Sequence, residues 1–157
     1  DFLLDVVKQE IEVLSFKASS PVVVYDGMTM EELASKLDRS LSSNLSGYGH
    51  AFAKYSIEYG VDPYLAVAIT LHETGCKWNC SNLVASCNNV GGMKGSGCGS
   101  YASFNTLEEG IEAMISNLSR NYISQGLTTP ETIGTKYAAS STWATKINYY
   151  MDTIRNA

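Results

Sequence analysis

One segment of the chain, Tyr64 to His72, is apolar on nearly every side of a helix: it reads YLAVAITLH. A helix without a polar face has to lie at the centre of a domain, because it has no side to turn toward water. Asp62 and Pro63 precede it, and these residues favour a helix start as the N-cap and the first helical residue. The chain therefore predicts a mainly helical domain built around this segment.

Helical patterns recur on both sides of this central segment. Apolar residues at helical spacing predict further helices over about 2–17, 29–41, 50–59, 106–122, 130–137 and 142–154. Thr29 with Glu32, and Thr106 with Glu109, have the spacing of capping boxes. A short β-prone run, Pro21 to Tyr25, ends at the turn Asp26-Gly27. We expect about six to seven helices, and a small lobe, irregular or with a hairpin but without a helix, over residues 75–104.

That lobe holds all four cysteines: Cys76, Cys80, Cys87 and Cys98. Their spacing lacks the paired C-x2-C knuckles of most zinc sites, so it favours disulfides over a zinc-stapled interaction domain. Four cysteines allow three pairings, and the sequence does not choose among them. A nested arrangement, Cys80–Cys87 inside Cys76–Cys98, is our hypothesis. Disulfides indicate an oxidising, extracellular environment.

The composition limits the classes of partner. A chain of 157 residues has the length of one domain, and its formal net charge is −5. That charge argues against binding to nucleic acid or to anionic membranes. The sequence has no apolar run long enough to insert into a membrane. We expect a neutral polymer or a small molecule as partner, and neither a cofactor nor a metal.

Glu73 directly follows the central apolar segment. Apolar surroundings disfavour the charged form of a carboxyl and raise its pKa toward neutral. A carboxylic acid that keeps its proton near neutral pH can protonate a glycosidic oxygen, which is the general-acid step of sugar hydrolysis. The alternative is a solvated glutamate at a helix end.

Four further stretches carry a family resemblance: LHETG at 71–75, NNVGGMKG at 88–95, YASFNTLEEGIEAM at 101–114 and KYAASSTWATKI at 136–147. In order and spacing, from about Tyr48 to Ile154, the chain resembles the bacterial glucosaminidase domains of the lysozyme-like superfamily, which cut the glycan strands of peptidoglycan. The resemblance implies a lysozyme-like helical globule around a substrate cleft. It also implies a catalytic domain over residues 46–157, with residues 1–45 as an N-terminal helical extension that we expect to be integral to the domain.

The resemblance also implies the roles of individual residues. Glu73 matches the catalytic acid of the family, and Tyr137 matches a tyrosine that lines the same cleft. The residues implied in substrate binding are Asn89, Gly92, Met93, Lys94, Tyr101 and Trp143. Turn conformation is an alternative role for Asn89 and Gly92. Packing is an alternative role for Tyr101, Tyr137 and Trp143, and Lys94 has the alternative of a solvated charge.

The chain departs from the family pattern in one respect. Two-carboxylate glycosidases need a second Asp or Glu, and the stretch from Thr74 to Leu107 contains none. The second group is then a distant residue, a tyrosine or the substrate itself. An N-acetylglucosaminidase is the first interpretation, with a muramidase or lytic transglycosylase as the alternative and a non-catalytic sugar-binding module as a further one.

The resemblance also implies where the protein acts and whether it acts as a monomer or within a larger protein. A monomer, or one domain of a larger cell-wall hydrolase, is expected to act outside the cell or in the cell wall. It would be secreted, or belong to a phage or conjugation assembly that penetrates the wall.

Overall fold

The structure, a computed structural model, describes residues 1–19, 21–137 and 140–157, without the side chains of residues 13–19. Within these ranges the chain is mainly helical, as predicted, with two antiparallel two-stranded hairpins. The elements in chain order are α1 Phe2–Ser19, β1 Val23–Tyr25, β2 Met28–Thr29, α2 Met30–Asp38, α3 Gly49–Tyr59, α4 Pro63–Thr74, α5 Asn82–Cys87, β3 Gly97–Cys98, β4 Tyr101–Ala102, α6 Leu107–Asn121, α7 Pro130–Tyr137 and α8 Trp143–Arg155. Ala138 and Ala139, part of the last resemblance motif, lie outside the described residues.

The central helix is α4, which is the segment predicted to be central. Every residue from Pro63 to Leu71 is buried, and α4 packs between α3 and α8. The Asp62 side chain accepts a hydrogen bond from the Tyr64 N–H, as expected of an N-cap. The helix ends two residues later than predicted, because the residue that ends it is Gly75, in the left-handed conformation at φ +69°. Glu73 therefore belongs to the last turn of α4 rather than following it.

The segment before α3 contributes to the same core. Thr29 and Glu32 make both hydrogen bonds of the predicted capping box at the start of α2. Leu33, Leu37 and Leu45 are completely buried, and α2 packs along α3. By contrast, the described apolar side chains of α1 are largely exposed; they include Phe2, Leu3, Leu4, Val7 and Ile11. None of the described helices combines the length and the hydropathy that crossing a bilayer requires.

The cysteine-bearing lobe corrects two predictions. The disulfides join Cys76 to Cys80 and Cys87 to Cys98, so the nested pairing was wrong. The lobe also contains a helix, α5, where none was predicted, which makes eight α-helices in the described ranges. Helix α5 has six residues and ends at Asn88 in the left-handed conformation, so it is too short to show a helical period in the sequence. The hairpin of this lobe is β3–β4, which pairs Cys98 with Tyr101.

Candidate active site

The end of α4 opens into a cleft of about 400 Å³. Its walls come from α4, the turn at residues 91–94, α6 and the end of α7. The residues that line it are Glu73, Gly91, Gly92, Met93, Lys94, Met114, Asn117, Leu118, Tyr122 and Tyr137. Four of the predicted site residues beyond Glu73 are thus brought together here: Gly92, Met93, Lys94 and Tyr137.

Glu73 lies at the mouth of this cleft. The residue as a whole is exposed. Its carboxyl group, however, is partly buried, and this burial raises its pKa above the usual value for glutamate. The nearby His72, Trp143 and Tyr137 side chains act in the opposite direction, because positive charge and hydrogen-bond donors favour the ionised form. Burial is the largest of these effects. The carboxyl group can therefore hold a proton at a higher pH than a solvated glutamate.

Tyr137, the last residue of α7, lies beside this carboxyl group in the cleft. Burial, followed by the charge of Glu73, raises the pKa of the Tyr137 hydroxyl far above its usual range. The ring stacks on Trp143, with ring centres 5.0 Å apart and planes at 29°, and lies 5.6 Å from the ring of Tyr122. Tyr137 is therefore a neutral hydroxyl on a fixed aromatic ring, and it can donate a hydrogen bond into the cleft.

Trp143 occupies a different position from the one that sugar stacking would need. It begins α8, is only 3% exposed, and has Tyr137 against one face. Its indole Nε1 is buried and has no hydrogen-bond partner of normal geometry among the described residues. The same N–H lies near enough to Glu73 to lower the pKa of that carboxyl. Trp143 can thus favour the ionised carboxylate of Glu73 through its indole N–H, but it does not present a ring face to a ligand.

Asn89 is also buried, at 1% exposure. Its Nδ2 donates to the carbonyl oxygens of Met93 (2.9 Å) and Ala102 (3.0 Å). Its Oδ1 accepts from the backbone N–H groups of Gly91 (3.3 Å) and Met93 (3.0 Å). The amide of Asn89 thus makes all of its hydrogen bonds within the protein, and these bonds stabilise the turn at 91–94 and connect it to β4.

This turn lies close to Glu73. Gly92 has φ +60°, and a Cβ atom there would lie 3.7 Å from Glu73 Oε2. Glycine therefore permits both the left-handed conformation and an open path to the carboxyl group. The cation of the cleft, Lys94, has its Nζ 4.3 Å from the centre of the Tyr101 ring. Tyr101 does not line the cleft, but it supports Lys94 from β4.

The sequence did not single out five of the lining residues as part of the site: Met114, Asn117, Leu118, Tyr122 and Gly91. The first three lie on one face of α6, at spacings of three and four residues. Met114 and Leu118 were expected in the core, and they are buried there too. Asn117 could have indicated from the sequence that α6 borders a site, because a polar residue on an otherwise apolar helix face indicates that the face reaches solvent or a ligand.

The charges that line the cleft are few. Glu73 is its one carboxylate and Lys94 its one cation among the described residues. All four cysteines are in disulfides, and the described ranges hold no cluster of three or more His, Cys, Asp or Glu side chains suited to a metal.

Comparison with known families identifies the family of this domain. A model of the glucosaminidase family, described as mannosyl-glycoprotein endo-beta-N-acetylglucosaminidase, matches residues 49–156. The chain belongs to the glucosaminidase family. No curated protein matches it. Membership makes this glucosaminidase a glycoside hydrolase that acts on peptidoglycan, which confirms the resemblance found in the sequence motifs.

Proposed function

We propose that this glucosaminidase cleaves the glycan strand on the reducing side of N-acetylglucosamine, with Glu73 as the general acid. One observation carries the proposal: Glu73 is the single carboxylate lining the cleft in the described structure, and burial raises its pKa. A raised pKa keeps the carboxyl protonated to a higher pH than that of a solvated glutamate. The protonated carboxyl can then donate to the oxygen of a departing sugar.

The Tyr137 hydroxyl supports this step. It is held neutral by burial and by the nearby Glu73 charge. When Glu73 gives up its proton, a neutral donor beside it stabilises the carboxylate that forms. Its oxygen can also face the positive charge that develops on the sugar ring. Trp143, whose ring stacks on Tyr137, also contributes, through an indole N–H that has no other partner among the described residues.

The substrate is the best candidate for the second catalytic group, because the described lining of the cleft offers no other carboxylate. In this route the acetamido oxygen of N-acetylglucosamine attacks C1 while the C1–O bond to the next sugar breaks. The departing oxygen takes the proton of Glu73. Water then attacks C1, the bond from the acetamido oxygen breaks, and the Glu73 carboxylate takes a proton from that water. Atoms and charge balance, and the acid is restored.

The same lone carboxylate favours a second candidate, a muramidase or lytic transglycosylase. In the transglycosylase reaction a hydroxyl of the muramyl sugar attacks C1 within its own residue. Glu73 would give its proton to the departing oxygen and take one from the attacking hydroxyl. The product would be an anhydro sugar, lighter by one water than the hydrolysis product.

The new chain ends distinguish these reactions. Purified peptidoglycan is digested with the enzyme, and the fragments are analysed by mass spectrometry after reduction with borohydride. Reduced N-acetylglucosamine ends are the expected result. Reduced muramic ends would identify a muramidase, and anhydromuramic ends that resist reduction would identify a lytic transglycosylase.

The site of action and the domain limits are part of the same proposal. Disulfides persist in oxidising environments, and two of them lie in the lobe beside the cleft, which supports action outside the cell or in the cell wall. Residues 46–157 would form the catalytic domain, and 1–45 an integral extension. The complete burial of Leu33 and Leu37 supports that integration, since deleting α2 would expose the core. A variant lacking residues 1–45 should therefore fail to show cooperative thermal unfolding.

A further inference from the structure

A second surface of the protein exposes large aromatic side chains. We call it the Trp78 surface; it comprises His72, Lys77, Trp78, Lys146, Tyr149 and Tyr150. Trp78 is 79% exposed and Tyr149 is 64% exposed. Exposed aromatic residues that are grouped together mark sites of interaction more often than isolated ones do.

Trp78 lies on a short loop that is closed by a disulfide. The bond between Cys76 and Cys80 joins two residues only four positions apart, and Lys77 and Trp78 lie between them. The loop is also tied at its base, where the Trp78 N–H donates to the Gly75 carbonyl. A loop held in this way loses little conformational freedom on binding, so an exposed ring on it is well suited to contact a ligand.

Two hollows meet at Tyr150. One, of about 520 Å³, has Lys77, Trp78 and Tyr150 in its lining. The other, of about 550 Å³, is lined by His72, Lys146, Tyr149 and Tyr150 together with Thr145. Because Tyr150 borders both, the two hollows adjoin, with Trp78 in the lining of one and Tyr149 in the lining of the other.

The charge of this surface is opposite to that of the whole chain. The chain has a formal net charge of −5, yet the described residues lining the two hollows include Lys77 and Lys146 and no acidic side chain. The third cation there, Arg39, donates to the backbone oxygen of Ala157. The Lys77 Nζ lies 5.7 Å from the centre of the Trp78 ring. A ligand that fits such a surface has flat apolar faces for the rings and negative groups for the lysines.

We propose that the Trp78 surface is a second binding site for peptidoglycan, separate from the cleft. Trp78 and Tyr149 pack against the sugar rings of a strand, while Lys77 and Lys146 pair with carboxylates of its peptides. The choice of this polymer rests on the proposed function. His72 and Glu73 are adjacent at the end of α4, so the surface and the cleft flank the same helix end. A strand held on the surface stays near the cleft, which raises the local concentration of substrate.

The test compares binding and catalysis in one double variant, Trp78→Ala with Tyr149→Ala. Binding is measured by sedimentation with insoluble peptidoglycan that hydrofluoric acid has freed of phosphate polymers, and cleavage is measured on short soluble glycan fragments. We expect the Kd for the insoluble polymer to rise about tenfold, as for the loss of two stacked rings. The rate on short fragments should stay within twofold of wild type, because the cleft is intact. Phe2→Ala is the matched control, since Phe2 is an aromatic residue 80% exposed on α1, and it should change neither quantity.

A second variant tests the charges. Lys77→Gln with Lys146→Gln should weaken binding and reduce its dependence on salt, because two ion pairs are lost. Trp78→Phe should recover most of the binding lost in Trp78→Ala, because a flat ring is kept.

Binding by the aromatic double variant within twofold of wild type would overturn the proposal. Tight binding confined to walls that retain their phosphate polymers would also overturn it, since the ligand would then be a phosphate polymer. Failure of the proposed function looks different: the wild type would leave short fragments uncut, while the aromatic double variant would still lose its binding to the polymer.

Discussion

Trp143 offers a test of how the protein controls the proton on Glu73. Its buried Nε1 has no normal hydrogen-bond partner among the described residues, and it lowers the pKa of the Glu73 carboxyl. Trp143→Phe removes this N–H and keeps an aromatic ring to stack on Tyr137. Because the N–H favours the ionised carboxylate, its loss should raise the pKa of Glu73 further. The protonated, active form would then persist to higher pH.

The geometry of the Trp143 N–H limits how far its removal can change the pKa of Glu73. A hydrogen bond to a charged group contributes about 1.5–3 kcal/mol. Since the Trp143 N–H does not reach normal hydrogen-bond geometry, its contribution should lie below the lower figure of about 1.5 kcal/mol. The substitution also removes part of a ring that is 3% exposed, so the free energy of unfolding should fall by about 1–2 kcal/mol.

The assay is the initial rate on purified peptidoglycan as a function of pH. The descending limb, where activity is lost as pH rises, should move to higher pH in Trp143→Phe. Ile147→Val is the control, because Ile147 lies on the same helix and is fully buried. It should lose similar stability and leave the limb in place. A limb that stays fixed in Trp143→Phe, or moves to lower pH, would refute this reasoning.

The other predictions concern single features of the structure. Tyr137→Phe should lower turnover at least tenfold, about 1.4 kcal/mol, with little change in Tm; a variant with normal activity per folded molecule would return Tyr137 to a packing role. The intact mass should be four hydrogens below the all-thiol value, and a bound zinc or four free thiols in the native protein would contradict the disulfides. Gly110→Ala should lower the free energy of unfolding by about 1–3 kcal/mol or more, because its Cβ would lie 1.7 Å from the Asn88 carbonyl oxygen; an unchanged unfolding curve would show that α6 can shift. Since the folded protein raises the pKa of Glu73, ionisation removes stability as pH rises from the ordinary glutamate pKa through the folded one. Glu73→Gln should thus be at least as stable as wild type at neutral pH, with the difference shrinking in acid, and a large loss of stability at neutral pH would contradict the raised pKa.

The sequence predicts most of the helical frame because its signals are local and strong. The apolar α4 has no face for water, Gly60 and Gly75 end two helices in the left-handed conformation, and Thr29 with Glu32 forms its capping box. Helix α5 was missed because six residues are fewer than two helical turns, so no period could show. The disulfide pairing depends on where β3 returns along α5, which is a tertiary fact that spacing does not carry.

Parts of the candidate site were predictable and parts were not. The motifs identify Glu73, Tyr137 and the 91–94 turn, which do line one cleft. The orientation of Trp143 was not predictable, because a tryptophan at a helix start has the same pattern whether its ring or its N–H faces the site. Asn89 is similar: its amide could face a ligand or the turn, and in the structure it makes three hydrogen bonds to the turn and one to β4.

The most direct measurement of the central claim is the rate at which Glu73→Gln solubilises purified cell walls, relative to wild type. Glutamine keeps the size of the side chain and its hydrogen bonding but cannot donate the proton, so the rate should fall by at least ~10²-fold, the usual scale of general-acid catalysis. The variant should still bind the insoluble polymer as wild type does. A rate within a few-fold of wild type would contradict the claim that Glu73 is the catalytic acid of this glucosaminidase.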